Sequence, residues 1–324
     1  MDFINVGDGD AILLRQWEAG REFVVMVDCG RPVVEFVPGS KRGSAVNYLM
    51  REGVEAIDVL WLSHLHIDHI GGFFEIARHV PIGKVLTAYL PPTGAKWIYA
   101  PYREEKTCVK LCDNLNYFLD IVDTCKALGV GVDMVAEGVW PPRPQTDGGT
   151  PGVPGSGAEK TGGGGADAVA VGAGSGAEKT EGGDDDAAVT KAGSGAGMTG
   201  GADADAAVTG EVRADHDACP VLEMHVLPFD TGMMARQREL FDRLYLGIPC
   251  GAEEMAAVSR ERNPAGLRLL FTYRGRKVLL TADVYGEVWE DIVGADWCPV
   301  DILKLPHHGN EKSLTARSVE ILSP

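Results

Sequence analysis

The chain has 324 residues, which is enough for one large domain or two ordinary ones. It carries 30 lysines and arginines against 47 aspartates and glutamates, a formal charge of −17, which argues against nucleic-acid binding through an extensive basic surface. No apolar run is long enough to cross a membrane, the first residues show no secretory signal, and the seven cysteines are scattered without a metal-binding spacing. We therefore expect a cytoplasmic protein with reduced, buried thiols and no membrane partner.

The first 140 residues predict short strands alternating with helices. Apolar runs of strand length cover residues 11–15, 22–27, 57–62 and 84–90. Residues 44–52 indicate a helix that ends at Gly53. Apolar residues then recur at three- and four-residue steps over 109–128, the pattern of an amphipathic helix.

Residues 141–217 differ in composition from the rest of the chain. A 19-residue unit occurs three times over residues 155–211, and these units hold 17 of the 42 glycines and seven of the net negative charges. They contain only alanine and valine as apolar residues of any frequency, which cannot offset the entropy of ordering a chain. We expect a disordered insert, with a calcium-binding β-repeat as the weaker alternative.

After this insert, strands and helices alternate again. We expect a strand at 221–227, a helix at 234–246, a hairpin of residues 267–273 and 277–281, a helix at 284–293 and a strand at 300–305. Two sheets covered by helices satisfy this order. Residues 1–140 and 218–324 are therefore predicted to form a single domain, which the insert interrupts as a surface excursion.

Three chemically suggestive segments follow predicted strands. The first contains His64, His66, Asp68 and His69, and it places three of the eight histidines within six residues. Imidazole nitrogens and carboxylate oxygens are ligands for Zn²⁺, Mn²⁺ or iron. Asp283 ends a second strand, and the pair His307 and His308 ends a third. Ligand sites of layered α/β folds assemble at such strand ends, so the three segments together predict a metal site.

These segments resemble the metallo-β-lactamase superfamily, whose HxHxDH signature stands here at residues 64–69. The opening VGDGDAIL, the Asp-Cys-Gly of residues 28–30, the LTAD of 280–283 and the LKLPHHG of 303–309 are most similar to the nuclease-like domain of ComEC-type competence proteins and its free-standing relatives. The resemblance spans nearly the whole chain apart from the insert. It implies a four-layer αβ/βα sandwich with a two-metal site at its edge.

The resemblance also implies roles for individual residues. His64 and His66 would hold one divalent ion, Zn or Mn, while Asp68 and His69 would hold the second, and Asp283 would bridge them. His307 is favoured over His308 as the last ligand because it comes first after the strand, although the sequence leaves both open. Asp68 would also act in catalysis by orienting a metal-activated hydroxide.

The chain departs from the family pattern at one expected ligand. Asn263 stands where many members have a third histidine for the first ion, so a single tightly bound ion is an alternative to two. Asp10 is expected beside the metal, either as a ligand or behind the ligands. Asp28 ends a strand that faces the site; a structural role is favoured for it, and a role as a metal ligand or behind the ligands stays open, as it does for Asn263.

The implied function is that of a metal-dependent hydrolase. Its substrate would be a phosphodiester in DNA or a small nucleotide, and binding of extended duplex DNA stays open because of the acidic charge. Two alternatives remain: hydrolysis of another ester or a lactone, and an inactive binding or regulatory module that keeps the fold. The resemblance also raises the expectation that the chain is truncated at its C-terminus, whereas the oligomeric state is left undetermined.

Overall fold

The computed structural model describes residues 1–18, 20–34, 38–135, 138–140, 222–290, 297–311 and 313–324. These residues form two sheets flanked by helices. The strands are β1 (Asp2–Phe3), β2 (Ile12–Glu18), β3 (Arg21–Val27), β4 (Ile57–Leu62), β5 (Ile82–Thr87), β6 (Gly131–Met134), β7 (Gly138–Trp140), β8 (Glu223–Val226), β9 (Leu269–Tyr273), β10 (Arg276–Leu280) and β11 (Ile302–Leu303). The helices are α1 (Ala45–Arg51), α2 (Ile67–Ile70), α3 (Phe73–His79), α4 (Lys106–Leu128), α5 (Thr231–Tyr245), α6 (Ala252–Glu261), α7 (Gly286–Glu290), α8 (Ala316–Leu322) and a 3₁₀ turn, Pro306–Gly309.

The first sheet has the order β1-β2-β3-β4-β5-β6. Its first three strands pair antiparallel, and the strands from β3 to β6 pair parallel. The parallel strands are joined by helical connections, as crossover geometry requires. Their carboxyl ends consequently lie along one edge of the sheet.

The second sheet has the order β11-β10-β9-β8-β7. β9 and β10 form a hairpin in which Tyr273 faces Arg276. The two residues between them, Arg274 and Gly275, both have positive φ, at 50° and 73°. A two-residue loop of this kind matches the right-handed twist of the paired strands.

Alternating side chains divide the core into three layers. Val25 and Val27 of β3 pack between the two sheets, whereas Val24 and Met26 face the helices on the outer side. On the second sheet, Leu269 and Phe271 point to the inter-sheet layer, and Leu270 packs with Leu279 and Trp289 beneath α7 and α8. Because strand side chains point to opposite faces in turn, each sheet is buried on both sides. The predicted αβ/βα sandwich is confirmed.

Most predicted elements are present, with shifted ends. The strand predicted at 57–62 is β4, and the helix predicted at 109–128 begins three residues earlier and is capped by Gly129, whose φ is 71°. The strand predicted at 84–90 is β5, displaced towards the N-terminus, and α6 was not predicted. Residues 141–221, and with them the repeats and the predicted disorder of the insert, lie outside the described residues.

The described cysteines are free thiols, and all of them except Cys298 are buried. Burial raises the pKa of the Cys29 thiol well above its ordinary value, so this thiol is uncharged at neutral pH. Within the ranges that the structure covers, no helix combines the length and apolar character that a membrane crossing needs.

Candidate metal centre

The candidate site lies where loops follow β3, β4, β10 and β11 and where the chain turns between β1 and β2. These five segments contribute Asp28, His64 to His69, Asp283, His308 and Asp10. Gly9 is required at the β1–β2 turn, because its φ is +118° and a side chain there would collide with the backbone carbonyl of Asp68. The turn therefore brings Asp10 directly against the histidine segment.

The first group of candidate ligands consists of His64, His66 and Asp283, whose ligand atoms lie within 4.8 Å of one another. His64 Nε2 is 3.0 Å from His66 Nδ1 and 3.7 Å from Asp283 Oδ2. The rings of His64 and His66 meet edge to face, with centroids 4.6 Å apart. Two imidazole nitrogens and one carboxylate oxygen thus converge on one point.

The second group consists of Asp10, His69, Asp283 and His308, which also lie within 4.8 Å of one another. His69 Nε2 is 3.3 Å from Asp283 Oδ1, and His308 Nδ1 is 3.5 Å from Asp10 Oδ1. Asp283 belongs to both groups: its Oδ1 faces His69, and its Oδ2 lies near both His64 and His308. A carboxylate placed in this way can bridge two ions.

Asp28 orients the second group through hydrogen bonds, although it lies outside that group itself. Its carboxylate accepts hydrogen bonds from the backbone N–H of Ser63 at 2.8 Å and from the Ser63 hydroxyl at 2.7 Å. The other ring nitrogen of His69, Nδ1, lies 2.8 Å from Asp28 Oδ2. This contact fixes the proton on Nδ1 and leaves Nε2 pointing at Asp283, the arrangement that orients a metal-binding histidine.

The loops that form the site contain most of the unusual backbone conformations. Six described residues other than glycine have positive φ, and four of them follow strands at this edge: Asp28, Ala282, His307 and His308. Such conformations cost free energy and persist where the surrounding structure holds them, often at functional sites. The backbone N–H of His307 donates to the carbonyl of Ala282 at 3.2 Å, which ties the last two of these loops together.

Burial and neighbouring charges keep the histidines of the first group neutral. Burial, together with the charges of His69 and Arg262, holds the pKa of His64 well below its ordinary value. Burial and Arg262 lower the pKa of His66 to about 3. A neutral imidazole has a free lone pair, and only that form binds a metal ion.

The second group is rich in negative charge. Burial alone would lower the pKa of His69, but the carboxylates of Asp28, Asp283 and Asp10 raise it well above its ordinary value. His308 is likewise opposed by burial, yet hydrogen bonds to Asp10 and Asp68 raise its pKa to about 9. These carboxylates attract positive charge strongly, and a divalent ion would displace the protons on both imidazoles.

Two buried atoms at the centre of the cluster make no hydrogen bond with the described part of the chain. They are His69 Nε2 and Asp283 Oδ1, which face each other. Buried polar atoms are rarely left without a partner unless a ligand or ion supplies one. A nitrogen and an oxygen that face each other at 3.3 Å and have no further partner among the described residues are ligand atoms suited to a divalent transition-metal ion.

The remaining predicted residues surround these groups. The structure places His308 in the second group, whereas the favoured His307 lies outside both and packs against Tyr285, with ring centroids 5.4 Å apart. Asp68 is also outside both groups; its Oδ2 lies 3.4 Å from His308 Nε2. Asn263 is buried, and its amide lies 3.4 Å from the Tyr285 hydroxyl.

An open pocket of about 410 Å³ adjoins the cluster. Asp68, Asp283 and His66 form its floor, and α4, α6 and the segment after α6 form its wall. The wall carries four basic side chains, namely Lys106, Lys110, Arg260 and Arg262. The site can therefore admit a molecule much larger than water, and its wall is positively charged.

Sequence reasoning missed several residues of the site. Lys304 contacts the carboxylate of Asp10 and donates to the carbonyl of Ala282 at 3.1 Å. Ser63 connects Asp28 to the histidine segment, and Arg262 lies beside His66 in the pocket. Lys304 stands in the LKLPHHG run and could have been singled out, whereas no local pattern distinguishes Arg262 from an ordinary helix-end arginine.

Comparisons with known proteins identify the family. No curated protein matches the chain. Among the solved structures that resemble it is a mutant of CmlA beta-hydroxylase, with 12% identity and a TM-score of 0.34; the match covers 92% of this chain but only 34% of the hydroxylase. The Lactamase_B family model, described as the metallo-beta-lactamase superfamily, matches residues 4–176, more than half of the chain. Members of this superfamily are generally metal-dependent hydrolases, and the chain belongs to it.

Proposed function

We propose that the protein is a metal-dependent phosphodiesterase that acts on DNA or a small nucleotide. One observation carries the proposal: two groups of metal-binding side chains share Asp283 at the floor of an open pocket with a basic wall. Pairs of ions held in this way are used to hydrolyse phosphate esters, because both the attacking and the leaving oxygen carry negative charge. The basic wall favours an anionic substrate over a neutral ester or lactone.

The proposed ligands follow from the two groups. His64, His66 and Asp283 would hold one divalent ion, Zn or Mn, and Asp10, His69, Asp283 and His308 would hold the other. Compared with the expectation from the sequence, His308 replaces His307, and Asp10 replaces Asp68. Asp28 would set the orientation of His69 through its 2.8 Å contact.

Asp68 is proposed as the catalytic residue. Its side chain is partly exposed, lines the pocket and lies 3.4 Å from His308 Nε2. Burial would raise its pKa, but the hydrogen bond to His308 and the charge of His69 hold that pKa below its ordinary value. An ionised carboxylate in this place can accept the proton of an attacking water. The bound ions would lower the pKa of that water and neutralise negative charge on the phosphate.

The closeness to ComEC-type nuclease domains is part of this proposal. The motifs at both ends of the chain favour that subgroup, and a nuclease agrees with the basic pocket wall. We further propose that residues 1–140 and 218–324 form a single catalytic domain, with residues 141–217 as an insert.

The test is hydrolysis by protein stripped with a chelator and reloaded with Zn²⁺ or Mn²⁺. We expect up to two ions per chain and metal-dependent hydrolysis of bis(p-nitrophenyl) phosphate and a single-stranded oligonucleotide. The variant Asp68→Asn should keep its metal, because Asp68 lies outside both ligand groups. It should lose roughly 10²- to 10⁴-fold in kcat, the usual contribution of a proton acceptor.

Asp133→Asn is the matched control. Asp133 is an exposed carboxylate on β6 that pairs with Lys84 at 2.7 Å, so its loss should leave hydrolysis unchanged. Metal-loaded protein that cleaves a lactone or carboxylic ester but no phosphodiester would contradict the proposal in favour of another hydrolase. Metal-loaded protein without hydrolytic activity towards any of these substrates would indicate a binding module instead.

A further inference from the structure

The basic wall of the pocket carries positive side chains that form no ion pairs with the carboxylates that the structure describes. Lys106, Lys110, Arg260 and Arg262 line one side. Within the described ranges, no carboxylate lies within 4.0 Å of any of these four side chains, although ion pairs of that length occur elsewhere on the surface. In a chain with a net charge of −17, four cations gathered without carboxylate partners indicate a site for an external anion.

Arg262 is the most informative of the four because it is buried. Its side chain is only 5% exposed, and it donates from Nη2 to the Ser259 hydroxyl at 3.0 Å. Its Nη1 has no hydrogen-bond partner among the described residues. Burial lowers the pKa of Arg262 to about 10, which still leaves it charged at neutral pH. The charge of Asp68, which lies beyond ion-pair distance, only partly offsets the burial of this cation, so an anion in the pocket would further lower the cost of burying it.

Asn114 provides a second buried donor on the same wall. It is 3% exposed, it lines the pocket from α4, and its Nδ2 has no partner within the described part of the chain. Amide N–H, guanidinium and ammonium groups are all donors, and together they match an acceptor with several oxygens. Phosphate offers more oxygens and more charge than a carboxylate, and a guanidinium binds it in bidentate fashion.

The start of α4 adds to the positive potential. Lys106, Thr107 and Lys110 are in the first turns of this 23-residue helix, and the side chain of Glu105 makes no capping hydrogen bond. The free N–H groups at a helix start favour an anion. Buried donors, exposed lysines and a helix terminus therefore point into one volume.

We propose that this wall binds a second phosphate of the substrate, distinct from the phosphodiester that is hydrolysed at the metal groups. The proposal rests on the proposed function and narrows its substrate class. The preferred substrate would be a short strand or nucleotide that carries a terminal phosphate in addition to the scissile one. The pocket thus recognises a local pair of phosphates and needs no basic surface along a duplex.

The first experiment compares the dinucleotide TpT, which has one phosphate, with pTpT and TpTp, which have two. We expect wild-type protein to hydrolyse at least one phosphorylated form with a kcat/KM at least tenfold above that of TpT. In Lys106→Ala/Lys110→Ala this ratio should fall towards one. The ratio is the readout because a general loss of activity cancels from it. Lys126→Ala is the matched control: Lys126 is an exposed lysine in the last turn of the same helix, and the ratio should persist.

The second experiment separates phosphate binding from hydrolysis. Metal-free protein is heated with inorganic phosphate or with NaCl of equal ionic strength, and Tm is measured. We expect phosphate to raise Tm more than NaCl does, since a ligand that binds only the folded state stabilises it. This additional rise in Tm should be smaller in Arg262→Gln and in Lys106→Ala/Lys110→Ala, where each variant is compared with its own Tm in NaCl. The rise should be retained in the control Lys126→Ala.

The outcomes distinguish the two proposals. A phosphate-dependent rise in Tm without hydrolysis of any phosphodiester would overturn the proposed function but leave the phosphate site supported. Equal hydrolysis of TpT, pTpT and TpTp by wild-type protein would overturn the second-phosphate proposal, even with a rise in Tm, which would then reflect an adventitious ion only. A preference for pTpT or TpTp that survives in Lys106→Ala/Lys110→Ala would also overturn it.

Discussion

His307 and His308 are consecutive residues of one type, yet their side chains reach different surroundings. Both have positive φ, at 44° and 57°, within the turn Pro306–Gly309. His308 reaches Asp10, Asp68 and Asp283, whereas His307 packs edge to face against Tyr285. We predict that His308→Asn lowers metal affinity at least tenfold and that His307→Asn leaves it nearly unchanged. Asparagine is the chosen replacement because it tolerates positive φ, so the turn is retained.

Metal titration of the two variants measures this difference, and each serves as the control for the other. Equal losses of affinity would contradict the assignment of His308. The sequence could not separate the two residues, because the choice depends on the φ and ψ angles of a four-residue turn. The sequence predicts that His64, His66, His69 and Asp283 lie near one another because their segments follow buried strands, whose ends are indicated by the hydrophobic pattern. Asp10 was recognised as a site residue only through the family resemblance, since its approach depends on a long-range contact between Gly9 and Asp68.

At the scale of elements, the approach of α2 and α3 to the first sheet positions the histidines. Gly72 precedes α3, and a methyl group there would collide with the backbone carbonyl of Cys29, directly after β3. The backbone N–H of Cys29 in turn donates to the carbonyl of His69 at 2.6 Å. We predict that Gly72→Ala displaces the histidine segment, lowers metal affinity and destabilises the fold by about 1–3 kcal/mol.

Gly43→Ala is the control for this prediction. Gly43 has no atom within 4 Å of an added methyl group and does not have positive φ, so its substitution should leave both quantities unchanged. Denaturant unfolding and metal titration measure the two effects. If Gly72→Ala bound metal and unfolded like wild type, the proposed close approach would be wrong.

Elements with strong patterns were predictable, and those defined by tertiary contacts were not. β4 was placed correctly because its six residues are apolar apart from Asp58. α6 was missed because only Met255 and Val258 of its ten residues are buried, too few to produce a periodic signal. β11 has only two residues and exists through its parallel pairing with β10, so the strand predicted at 300–305 was too long.

At the scale of the whole molecule, the pairing of β7 and β8 defines where the insert leaves and rejoins the domain. The strands are antiparallel, and Trp140 lies opposite Met224. The chain therefore departs and returns at neighbouring positions, which is the geometry of a hairpin with a long connection. The repeats at 155–211 also hold seven of the 17 net negative charges, so the rest of the chain is less acidic than the total suggests.

We predict that deletion of residues 155–211 preserves metal binding and hydrolysis. The deletion shortens the connection between β7 and β8 from 82 to 25 residues, which is still ample for neighbouring strand ends. A shorter loop costs less entropy to close, by about 1 kcal/mol on the logarithmic dependence of loop closure. Thermal unfolding should therefore show a Tm that is unchanged or raised by roughly 2–4 °C, as expected for a domain of this size.

Because the removed repeats carry net negative charge, the deletion should also weaken the repulsion of an oligonucleotide. The KM for the oligonucleotide should therefore fall, and the fall should be largest at low salt. Loss of metal or a lower Tm in the deleted protein would show that the repeats are part of the folded domain.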